Sequence, residues 1–295
     1  MIVQHRLHLR RLVVAVGPQL LILLSYDIFV TYLYMERDLT GIGRDDLPLS
    51  LIGTAVALVM TLRNNAAYGR WWEGRTLWGQ IVNDSRSFVR GLIAMTQDAP
   101  LQILLTRHQV AYTQALRLHL LRITPWDAIE RLLPPETVQR VRGAANIPLA
   151  LQTDMADRLG KAREAGFIDA MSLAALNVSL SSLTSAQGGL ERIKNTPMPR
   201  QYSQFPRIFV RVFCLVLPLG LVHDLGYFTP LGSALVGFMF LALDQVGIDL
   251  EDPFEGKVHD VPMQAITRTI ELDLHQMIGH LANPPVVEVR DGVLN

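Results

Sequence analysis

The sequence predicts an all-α integral membrane protein, with four hydrophobic helices and a long helical polar region. Three observations predict it. Of 295 residues, 49% are hydrophobic and only 18% charged, against roughly 25% charged in soluble domains. The charge deficit is concentrated in 12–62 and 205–243, whereas 63–200 and the chain after 244 have ordinary soluble composition. Helical-period apolar positions recur along the chain, and no convincing period-2 run calls for a strand.

The first span is expected at about Leu12–Met35, with Gly17, Pro18 and a lone Asp27 inside it. It outlasts a signal-peptide apolar core and shows no small-x-small cleavage site, so it is expected to be retained. The second is the uncharged run Leu47–Leu62, roughly 24 Å long as a helix and short of the ~30 Å hydrocarbon core. The third covers about Ile208–Val222, with Arg211 and Pro218 inside, and the fourth is the uncharged run Leu225–Leu243. Soluble core helices are the alternative. They are disfavoured because the runs come in pairs with short connectors, and because flanking charge obeys one topology. Arg6, Arg10 and Arg11 precede the first span, Arg63, Arg70, Arg75 and Arg86 follow the second, and Arg192, Lys194, Arg200 and Arg207 precede the third. The positive-inside rule then places both termini and the middle block in the cytoplasm. Asp27 and Arg211 are expected in a bundle interior, a cavity or a pair rather than against lipid.

Over Arg70–Met95 the apolar positions Trp71, Leu77, Trp78, Ile81, Val82, Phe88, Leu92 and Ile93 suit an amphipathic helix. No turn signal separates it from the second span, so one long helix is expected. Further helices are expected at about 99–122, 125–132, 135–142, 149–164 and 167–194, with breakers at Pro134-Pro135 and Gly143–Pro148. The tail from His280 is expected to be extended or disordered, with Pro284-Pro285 ending the last helix.

Little in the chain suggests catalysis. Net charge is zero, which gives no global basic patch for nucleic acid. The one cysteine, Cys214, excludes an intrachain disulfide and reads as a small buried hydrophobe. Gly41-Ile42-Gly43 lacks the context of a dinucleotide loop, and no P-loop, His-Glu-x-x-His or Gly-x-Ser-x-Gly motif occurs. His259 beside Asp260 reads as a solvated loop rather than a metal pair. The acid-rich stretch Asp249–Glu255 lacks EF-hand spacing and reads as a helix end with surface carboxylates. No enzyme activity, cofactor or resident metal is expected.

The informative run is Arg63-Asn64-Asn65-Ala66-Ala67-Tyr68-Gly69-Arg70-Trp71-Trp72-Glu73-Gly74-Arg75-Thr76-Leu77-Trp78-Gly79. On physics alone it is a membrane-exit segment, with tryptophans in an interfacial belt and arginines snorkelling. The run resembles the bacterial branch of the bestrophins. The resemblance continues at Glu191-Arg192-Ile193-Lys194-Asn195-Thr196-Pro197-Met198-Pro199 and at Leu250-Glu251-Asp252-Pro253-Phe254, in the family's order. It implies a homopentamer with an ion pathway on the fivefold axis, four membrane helices per subunit and a long cytosolic vestibule. The implied division is 1–62 for an N-terminal arm and two membrane helices, 63–204 for a cytosolic helical region, 205–245 for two membrane helices, and 246–295 for a cytosolic C-terminal helix and tail. The implied site is a bacterial inner membrane, and the implied partners are further copies of the chain, monovalent ions and the bilayer.

The resemblance also implies an apolar neck on the second helix, its positions matching Thr54, Leu58 and Leu62. Such i, i+4, i+8 positions share a helix face, and their rings would span about 12 Å of the axis. Leucine rings favour dewetting at a narrow radius; Thr54 departs from the bulky apolar type. A cytosolic constriction is implied near Met171, with Ser172 and Leu173 as neighbours. Vertebrate relatives are gated by calcium through an acidic cluster, where this chain has Gly256 and Lys257, so no high-affinity calcium gate is expected. Bacterial relatives imply sodium or potassium conduction. Asp38, Asp45 and Asp46 against Arg37 and Arg44 at the outer mouth also favour cations. A chloride channel of the same architecture and a non-conducting scaffold that binds a partner are the alternatives.

Overall fold

The computed structural model describes residues 9–37, 39–44 and 46–279, and these fold into helices with no strand among them. The expected tail from His280, together with Arg6, Asp38 and Asp45, lies outside the described residues. Ten α-helices follow in order: α1 (Leu9–Glu36), α2 (Leu49–Met95), α3 (Ala99–Leu120), α4 (Trp126–Glu130), α5 (Pro135–Val141), α6 (Ile147–Glu164), α7 (Ala170–Asn195), α8 (Arg200–Leu225), α9 (Thr229–Glu251) and α10 (Met263–Met277). Short 3-10 turns at Thr40–Ile42 and Gly226–Phe228 precede α2 and α9. As expected, α2 is continuous, because nothing between Leu62 and Met95 interrupts its hydrogen bonding.

The chain forms two compact units, one through Arg70 and over Pro197–Asp252, the other over Trp71–Thr196 and from Pro253 onward. In the first, α1, α8, α9 and the N-terminal part of α2 close around Val16, Leu23, Val56, Met60, Val210, Phe213, Cys214, Leu217 and Leu241. Small residues let these helices approach. A Cβ on Gly220 would stand 2.6 Å from Leu49, and one on Gly237 would stand 2.4 Å from Leu23. Outside this core, Ile22, Phe29, Leu231, Leu235 and Met239 are exposed, a surface suited to hydrocarbon rather than water. Leu12–Glu36 and Arg200–Glu251 are long and apolar enough to cross a bilayer.

The second unit is an ordinary helical core, with Trp78, Ile81, Phe88 and Leu92 of α2 buried as their spacing predicts; Ile93 instead stays exposed. Caps set its helix ends. Asn146 accepts from Leu149 N at 3.1 Å and Asp169 from Ser172 N at 2.7 Å, so α6 starts two residues before, and α7 three residues after, the positions expected from apolar spacing. The α3 C-terminus closes with Ile123 N on Leu118 O and Arg122 N on His119 O, with Arg122 at φ 58°. At the matching end of α6 that left-handed place is Gly166, φ 80°. Arg122→Gly is therefore expected to stabilise the protein by about 1 kcal/mol in thermal unfolding, by relieving the Cβ clash.

A charged cluster joins α3, α5 and α6. Asp154, buried, meets His108 Nε2 at 2.9 Å, Arg158 Nε at 2.7 Å and Arg140 Nη2 at 2.8 Å. Burial by itself would raise its carboxyl, but the hydrogen bonds from His108 and Arg158 outweigh burial and hold it at about 2. The depressed value means stability that is present above the usual carboxylate range and lost as pH falls through about 2. The wild type is expected to lose on the order of 2 kcal/mol relative to Asp154→Asn between about pH 4 and pH 2. Denaturant unfolding of the two proteins across that range checks it.

Candidate ion pathway

On α2 the two sides differ sharply. Val56, Met60, Arg63 and Ala67 are buried, while Leu51, Thr54, Leu58, Leu62, Asn65 and Tyr68 are exposed. Leu58 is 61% and Leu62 53% exposed, far from the usual fate of leucine in a packed helix. Thr54 turns its hydroxyl onto Ser50 O at 2.7 Å, so it presents mainly a methyl-bearing side to the same face. The stripe mixes leucine with Thr54, Thr61 and Asn65. In the other unit, Trp72 is also exposed. Met171, at the start of α7, is 84% exposed; Ser172 and Leu173 beside it are half-buried.

The membrane-exit reading of the next residues is corrected. Arg63 does not snorkel: it is 1% exposed, and its Nη1 donates to Asp244 of α9 at 2.5 Å. Glu251 lies 3.8 Å from Arg63 Nη2, and Arg207 Nε of α8 lies 3.8 Å from Asp244. Asn64 Nδ2 donates to Leu243 O at 2.9 Å and Arg70 Nε to Glu251 O at 3.2 Å. A Cβ on Gly247 would stand 2.3 Å from Asn64 Oδ1 and 3.1 Å from Arg63 Cζ. Glycine there is thus required for α9 to lie against the Arg63-Asn64 pair. Arg63 and Arg207 stand beside Asp244, and Arg63 and Arg70 beside Glu251, on the packed side of α2. Sequence reasoning missed Asp244 because it directly follows the uncharged run and looks like a span terminus. The available signal was its symmetry with Arg63, which ends the second run in the same way.

In the other unit the remaining motif residues converge. Glu73 pairs with Arg192, and Lys194 Nζ donates to Phe254 O at 3.3 Å. Phe254 is fully buried against Gly74, where a Cβ would stand 2.7 Å from its ring. Trp71 Nε1 donates to His259 O at 3.0 Å. Trp78 is fully buried, so the three tryptophans do not form a belt. Asp260, expected in a solvated loop, is instead buried: its Oδ2 accepts from Glu255 N at 2.7 Å and Lys257 N at 2.9 Å and closes the loop. The carboxylates expected on the surface at Asp249–Glu255 are partly drawn inward, with Asp249 accepting from Gln245 and Glu251 from Ser203.

In the connector before α2, the described charges are Glu36, Arg37, Arg44 and Asp46. The acid excess expected at the outer mouth rests on Asp38 and Asp45, which lie outside the described residues.

Residues 5–276 match the family described as bacterial/fungal bestrophin protein. A voltage-dependent anion channel-forming protein from Ralstonia nicotianae is 33% identical over 291 residues, covering 95% of each chain. A protein of the same name from Escherichia coli is 33% identical over 262 residues, covering 89% of this chain and 86% of its own. The crystal structure of a bacterial bestrophin homologue from Klebsiella pneumoniae superposes with a TM-score of 0.87 at 30% identity, covering 90% of this chain and all of the other. With its motif residues joined as above and its match running through nearly all the described helices, the chain belongs to the bacterial and fungal bestrophin family of membrane ion channels.

Proposed function

We propose that the chain forms a homopentameric channel for small monovalent anions, with the ion pathway along the exposed face of α2. The observation that carries this is the face itself. Thr54, Leu58 and Leu62 stand clear of a helix whose other side is packed. Five such faces around an axis would cover the leucines and leave a narrow, neutral, apolar neck. The membrane segments would be α1, the first part of α2, α8 and α9, in the order membrane 1–62, cytosol 63–204, membrane 205–245, cytosol 246–295. Arginine-rich flanks favour cytoplasmic termini in a bacterial inner membrane. Met171 is the candidate for a second, cytosolic constriction, and its exposed thioether at a helix start supports that role.

For ion sign, relatives named as anion channel-forming proteins favour anions over the cation preference expected from the sequence. Purified protein in planar bilayers under asymmetric sodium chloride tests both parts. A reversal potential near the chloride equilibrium value is expected. One near the sodium value overturns the anion assignment, and no current in any salt, with a stoichiometric partner copurifying, overturns the channel in favour of a scaffold.

A further inference from the structure

Where α1 packs against α9, the seam is built from small residues. Leu23 meets Gly237, and one turn along each helix Asp27 faces Ser233. Asp27 and Ser233 are both fully buried. Neither carboxyl oxygen of Asp27 makes a hydrogen bond of good geometry, and neither does the Ser233 hydroxyl, the polar side chain beside that carboxyl. Thr31, one turn away, spends its hydroxyl on Asp27 O at 2.8 Å.

Among the described residues no cation pairs with the carboxyl. The titratable side chains that sense its charge are Tyr26 on α1 and Cys214 on α8, and Tyr26 already donates to Leu215 O at 3.0 Å. Arg211 of α8 is exposed and forms no ion pair with Asp27. Because Asp27 is wholly covered within one chain, a neighbouring copy cannot supply a cation either. An isolated ionised carboxylate in such a place costs far more than a helix seam returns, and the group neutralises instead.

We propose that Asp27 is a proton-binding site: its carboxyl takes up a proton, bridges as the neutral acid to Ser233 across the α1–α9 seam, and loosens that seam when rising pH removes the proton. In that step the O–H bond breaks, its electron pair stays on the carboxylate, and the proton passes to a base in the solvent. Asparagine has the same shape and supplies a donor without a titration, so Asp27→Asn should keep the seam closed at every pH.

Infrared spectroscopy of the purified full chain, with isotope-labelled aspartate, tests the protonation. At mildly acidic pH a carboxylic-acid C=O band is expected in the wild type, absent in Asp27→Asn and shifted in Ser233→Ala. Thermal unfolding from about pH 4 upward should show a loss in the wild type that Asp27→Asn lacks. No difference in the acid band between wild type and Asp27→Asn, or an equal loss with rising pH in both, overturns the proposal. Should Asp27→Asn fail to fold, an acid band unmoved by Ser233→Ala overturns it.

Discussion

Replacing Leu58 or Leu62 by alanine is expected to raise ion flux through reconstituted protein about tenfold or more, with little loss of stability. Both side chains stand on the exposed face of α2 and contribute nothing to the core of their own unit. Their truncation therefore leaves no cavity within the chain. In a pentamer it would remove ten leucine methyl groups per ring, widen the neck and let water wet it. A fall in the barrier of only about 1.4 kcal/mol multiplies the rate tenfold. The control is on the other side of the same helix. Met60 is buried, and Met60→Ala is expected to cost about 2–5 kcal/mol of stability without opening the neck. Thr54→Leu, which adds bulk to the outermost ring, is expected to lower flux. Liposome flux assays measure all four, and unchanged flux in both leucine variants would remove the neck from α2.

Breaking the Arg63–Asp244 pair is expected to destabilise the membrane unit most. Asp244→Ala leaves a guanidinium that is 1% exposed without its principal partner, a change that typically costs about 3–5 kcal/mol. Glu251, at 3.8 Å, is too far to take over the hydrogen bond. The double variant Arg63→Met, Asp244→Leu should recover most of that loss, because removing both charges also removes their desolvation cost. The exposed pair Arg142–Glu130, at 2.7 Å, is the comparison: Glu130→Ala should change stability by less than about 1 kcal/mol. Unfolding in detergent ranks the variants. A loss below about 1 kcal/mol for Asp244→Ala would mean that the pair does not hold α2 to α9.

Much of the helical order was legible in the sequence, because helix existence depends on local period and breakers. The continuous α2 and the burial of Trp78, Ile81, Phe88 and Leu92 follow from 3.6-residue spacing alone. Helix ends were less legible. Asn146 and Asp169 decide them through single side-chain hydrogen bonds, a signal that apolar spacing does not carry. The charged residues were read least well. Arg63 and Asp260 look like solvated residues beside a membrane and in a loop, and both are buried. Their partners, Asp244 and the backbone of Glu255 and Lys257, come from elsewhere in the fold or from a loop closure that no spacing announces.

By itself the sequence determined the helical class, the membrane character and the family, since these rest on composition, period and three motifs in order. It also singled out Thr54, Leu58 and Leu62 through spacing and resemblance. Only the tertiary structure decided that these three share a bare face, that Arg63 is locked to α9, and that Asp27 is sealed without a countercharge. The physical reason is the same in each case. Exposure and electrostatic partnership are properties of what other helices bring alongside a residue, and a linear pattern records only the helix on which that residue sits.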